Sequence, residues 1–116
     1  MFKFKNIYHT TMSRLQQLFQ FLENSPEEPF LLFAIAKEYE GMGDTENAFK
    51  FYVKLTDDAP YYVGTYYHLG KLYEKNQLFD KALKMYQQGM NVAQRAGDRH
   101  AYSELSGAKT DLEDEL

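Results

Sequence analysis

The side chains able to do chemistry are few in this sequence, and they are poorly grouped. His9, His68 and His100 have no second histidine or cysteine at ligand spacing, which argues against a metal site. Asp57-Asp58 and Glu27-Glu28 are adjacent acid pairs at the ends of helical segments, better explained as solvated caps than as acid–base dyads. Ser103, Ser106 and Thr110 have no local base beyond His100. There is no glycine-rich phosphate loop, no G-x-S-x-G elbow and no H-E-x-x-H pair. With no cysteine in the chain, thiolate chemistry and a disulfide framework are also excluded. No catalytic residue, metal or cofactor is therefore expected, and the chain does not read as an enzyme. Rings are what it has in quantity, with ten tyrosines and nine phenylalanines. They could stack on a ligand, but most of them recur at packing intervals.

Those intervals are helical. Tyr66, Leu69, Gly70 and Tyr73 fall at spacings of three and four and so share one face. Glycine inside a helix costs roughly 1 kcal/mol against alanine, so Gly70 predicts the close passage of a neighbouring backbone. Ala82 and Tyr86 repeat the scheme on a second segment, a small residue followed one turn later by a ring. Two antiparallel helices meeting at Gly70 and Ala82 are expected. The same order stands earlier at a fixed distance, since Tyr39 and Tyr73 are 34 residues apart (73 − 39). Ala48 and Ala82, Tyr52 and Tyr86, Lys37 and Lys71, and Lys50 and Lys84 share that separation. Ile35-Ala36 stands where Leu69-Gly70 does, and Pro26 and Pro60 hold the same interval.

This period, with its order of small residue, tyrosine, alanine, aromatic and closing proline, resembles the tetratricopeptide repeat family. The resemblance covers two full units, about residues 29–60 and 63–94. Two departures stand out. Leu32 and Tyr66 replace the family's leading tryptophan, and Gln94 sits where a second closing proline would fall, which predicts that the last second helix of a pair runs on past the usual stop. The fold implied is all-α, with antiparallel helix hairpins stacked as a short right-handed superhelix of about six helices.

Along the chain, residues 1–11 look unlike the rest and read as a disordered or loosely docked tail, with Met12 a possible biological start. A single repeat domain is expected over 12–116. Within it a half-repeat helix covers 12–24, with Thr11 or Ser13 as its cap, and Leu15, Leu18, Phe19 and Leu22 as its apolar face. Pro29 suits the first turn of the next helix, which should stop at Gly43-Asp44, and Thr45 should cap the one after. Ala96-Gly97-Asp98 reads as a stop followed by a cap. A final capping helix then spans 100–113, with Tyr102, Leu105, Ala108 and Leu112 as one stripe.

Composition agrees, at 44% hydrophobic and 26% charged over 116 residues. No stretch approaches the roughly 20 apolar residues that span a membrane, and no secretory leader is visible, so a cytoplasmic protein is expected. The net charge of −4 is concentrated near the end, where Glu104, Asp111, Glu113, Asp114 and Glu115 face only Lys109. No basic stripe recommends nucleic acid.

The resemblance implies a non-enzymatic protein-interaction module, a small adaptor whose concave groove receives a peptide or protein segment. Its groove positions carry over to Phe30, Phe33, Ala34, Lys37 and Glu40 in the first repeat. In the second they carry over to Tyr67, His68, Lys71, Glu74 and Lys75. The lysines with His68 would recognise a carboxylate, and Phe33 with Tyr67 an apolar side chain beside it. No asparagine falls on these positions, which argues against the chaperone C-termini that some members hold. The other reading is a structural, self-associating repeat, so a monomer or a weak homodimer is expected.

Overall fold

The computed structural model describes residues 13–116, and the expected tail over 1–11 lies outside them. Six α-helices and no strand occur among the described residues: α1 (Arg14–Asn24), α2 (Pro29–Gly41), α3 (Thr45–Asp58), α4 (Gly64–Lys75), α5 (Phe79–Ala96) and α6 (Arg99–Glu115). Their starts follow local chemistry. Ser13 closes a capping box on α1, accepting from the Gln16 amide at 3.1 Å while its own N–H donates to Gln16 Oε1 at 3.0 Å. Glu28 caps α2 by accepting from the Phe30 amide, and Pro29 takes the first helical position, where its missing N–H costs nothing. The cap of α3 is Asp44 rather than Thr45: its Oδ1 accepts from the Asn47 amide at 3.2 Å, and Thr45 is already helical. Asp98 caps α6 in the same way, just after Gly97 ends α5 in the left-handed conformation.

The described residues form two compact units that divide within α3, one ending at Phe51 and the other starting at Tyr52. In the first, α1 packs on α2 through Leu18, Leu31, Ala34 and Ile35. Phe19, Tyr39 and Phe51 flank that core, with Phe51 stacked on Tyr39 at 5.7 Å and edge-on to Phe19 at 5.8 Å.

In the second unit, α5 packs against both α4 and α6. Tyr66, Ala82, Tyr86, Met90, Leu105, Ala108 and Leu112 make its core. Two glycines set the spacing. A β-carbon on Gly89 would lie 2.5 Å from Tyr66 Cβ and 2.9 Å from Leu105 Cδ1, so its absence lets α4 and α6 both approach α5. At Gly70 the nearest neighbour is a side chain, the Tyr86 ring. The Tyr86 ring occupies the space, and a β-carbon at 70 would fall 2.7 Å from Cδ1 and closer still to Cε1. An aromatic ring packed against a glycine buries a large apolar area.

Candidate functional site

Helix α4 starts without a side-chain cap. Its apolar residues Tyr66, Leu69 and Leu72 are buried, which turns Tyr67, His68, Lys71, Glu74 and Lys75 away from that stripe. Spacings of three and four place these five on adjoining turns. His68 lies nearly parallel to Tyr52 (ring centroids 6.5 Å apart, 9° between planes), and Tyr67 meets it edge-on at 5.6 Å. Lys71 Nζ stands over the Tyr67 ring, 5.7 Å from its centroid, a cation–π geometry. Lys71 also lies 3.8 Å from Glu74 Oε2, the oxygen that accepts a 2.6 Å hydrogen bond from the Tyr86 hydroxyl.

Tyr52, His68, Tyr67, Lys71, Glu74 and Tyr86 thus form one chain of contacts. Burial, then the hydrogen bond to Glu74 and that residue's charge, push the Tyr86 phenol well above the ordinary tyrosine range. It stays protonated and keeps donating. Lys71 is consequently not a bare cation, because Glu74 balances part of its charge. Lys75 is exposed in the last turn, where positive charge suits the C-terminal end of the helix dipole.

On α2, in the first unit, Phe30, Phe33, Lys37 and Glu40 follow one another at spacings of three, four and three. Phe30 is 53% exposed, Lys37 is exposed, and Phe33 and Glu40 are half-buried. Ala34 is buried in the α1–α2 core and cannot line a surface. The acid pairs behave as caps and solvated charges: Glu28 caps α2, and Asp58 pairs with Lys54 at 3.0 Å. Among the described residues no group of three or more histidines, cysteines, aspartates or glutamates is placed to hold a metal, and no helix is long and apolar enough to cross a membrane. Sequence reading missed Tyr52 and the Tyr86 hydroxyl as parts of the α4 array. Their repeat positions marked them as core, which they are, but nothing local shows which carboxylate a tyrosine's tip will reach.

The family model of the tetratricopeptide repeat matches residues 31–57 and 63–95. The chain belongs to the tetratricopeptide repeat family, whose members are generally protein-interaction modules and non-enzymatic scaffolds. A tetratricopeptide repeat domain protein of Salinibacter ruber is similar in its crystal structure, at 40% identity over 75% of this chain and 97% of that one, with a TM-score of 0.72. The solution structure of the Salinibacter ruber domain gives 42% identity, 77% and 90% coverage and a TM-score of 0.74. A Bordetella parapertussis protein shares the fold at 22% identity, with 90% and 91% coverage and a TM-score of 0.77. No curated protein matches the chain.

Proposed function

We propose that the chain is a peptide-binding adaptor without catalytic activity, and that the α4 face is its principal contact surface. The observation that supports this is the linked array Tyr67–His68–Lys71–Glu74, held from behind by Tyr52 and Tyr86. Side chains ordered before binding lose less entropy when a ligand arrives. Tyr67 and His68 offer faces and edges to an apolar or aromatic side chain. Lys71 and Lys75 offer positive charge to a carboxylate, and Glu74 balances Lys71 enough to disfavour a long run of acids. On α2, Phe30 and Phe33 with Lys37 and Glu40 repeat the same mixture of ring, cation and acid, and serve as a second contact.

Exchanging Lys37 and Lys71 together for glutamate tests this reading. The double variant should keep the helical circular dichroism spectrum of the parent and lose the proteins that the parent captures from an extract. Recovery of the same proteins by both would remove the assignment.

A further inference from the structure

A concavity of the second unit shares no residue with the α4 array. It is a cleft of about 810 Å³ between the end of α3 and its following turn on one side and α5 on the other. Gln94 lengthens its α5 wall, which Gln88, Asn91 and Val92 begin and Arg95 and Ala96 extend. Without a proline there, α5 runs to 18 residues where α3 has 14, and the added turn brings Arg95 to the rim. Opposite stand Asp57 and Tyr61, the latter 69% exposed. The turn is pinned, because the Tyr66 hydroxyl donates to the Pro60 carbonyl at 2.7 Å. Along the α5 wall lie Gln88 and Asn91, both exposed, and Asn91 accepts from Gln87 through its oxygen at 3.1 Å, which leaves its amide nitrogen to donate outward. None of the ion pairs among the described residues engages Arg95.

We infer that this cleft is a second docking site, for an extended peptide of a partner protein that sets a carboxylate side chain beside an apolar one. Side-chain amides on successive turns can pair with both the N–H and the C=O of an extended main chain. Arg95 takes the carboxylate as a charge-assisted, two-pronged acceptor. Pro60 and Tyr61 provide the apolar rim for the neighbouring side chain. Asp57 in the lining repels a polyanion, so neither nucleic acid nor a run of acids fits, and it accepts from a peptide N–H or a basic group.

The test is selection of short random displayed peptides against the full chain, with titration of the enriched peptides by calorimetry and mapping by nuclear magnetic resonance. Enriched peptides should pair an acid with an apolar residue and shift the side-chain amide signals of Gln88 and Asn91. Arg95→Glu should weaken them about ten-fold or more, the scale of a lost charged hydrogen bond, while Lys84→Glu on exposed α5 surface leaves them unchanged. Asn91→Ala repeats the measurement should the charge reversal disturb the helix. Failure to enrich any peptide would overturn the assignment. So would equal affinity for the Arg95 variant, or shifts confined to residues 67–75.

Discussion

Glycine at position 70 costs α4 about 1 kcal/mol of helix propensity relative to alanine, and the Tyr86 ring fills the space its missing side chain leaves. That ring cannot swing aside freely, since its hydroxyl is bonded to Glu74. Gly70→Ala should therefore destabilise the protein by about 1–3 kcal/mol through overpacking, despite the better helix former. Urea unfolding measures it, and a variant as stable as the parent would show that the ring yields. Thr65 is a second residue where packing and polarity conflict. Its Oγ1 is buried with no hydrogen-bond partner among the described residues. Thr65→Val, nearly identical in shape, should raise stability by about 1 kcal/mol by removing the uncompensated hydroxyl. A loss in the same experiment would mean that the hydroxyl has a partner after all.

The helix pairs carry the repeat into their turns. Gly43 follows α2 with φ +78°, and Gln77, 34 residues on (77 − 43), follows α4 with φ +63°. The second repeat thus keeps the left-handed turn of the first with a residue that tolerates it poorly. Gln77→Gly should stabilise by about 0.5–1 kcal/mol, and Gly43→Gln should lose a similar amount. Nothing lies within 4 Å of a β-carbon at Gly43, so any change there reports backbone strain and not a clash. Thermal melts of the two variants moving in the same direction would contradict the shared turn. Length is the other difference between the pairs: α5 outruns α3 because its stop is Gly97 rather than a proline.

At the scale of the whole molecule, burial sets the ionisation of tyrosines in the second unit. Tyr66, Tyr73 and Tyr86 have phenols raised above the ordinary value, in each case chiefly by burial, and all three stand in the second unit. A group whose folded pKa is raised adds stability that is fully present below its unfolded value, about 10 for tyrosine. That stability is lost as pH climbs through the folded value. The melting temperature should thus be insensitive to tyrosine ionisation at neutral pH and fall above about pH 10. Amides of α4 and α5 should lose hydrogen-exchange protection before those of α1 and α2. Equal loss in both units, or loss first in α1 and α2, would refute that origin. Tyr86→Phe should blunt the alkaline fall, and by freeing Glu74 it should also loosen the array around Lys71.

The helices, their order and the repeat register were legible in the residues alone. Leu18, Tyr52 and Tyr86 at intervals of 34, Ala48 with Ala82, and Ile35 with Leu69 were marked as core by spacing, and all are buried. Each depends on a period of 3.6 and a repeat of the hairpin, which short stretches of sequence express by themselves. Caps were nearly as plain, because a cap acts over three residues; Thr45 was mistaken for Asp44 by a single position. Gly89 passed unnoticed although it sits inside a helix, since one glycine does not say which two neighbours need its space. Gly70 was seen to need a close neighbour, but that the neighbour is a ring depends on how α4 and α5 are rotated against each other. The Tyr86–Glu74 bond and the place of Arg95 across the cleft from the turn at Pro60 depend on the same rotation and on side-chain rotamers. Both are chosen by the packing of residues distant in the chain, and no local spacing records that choice.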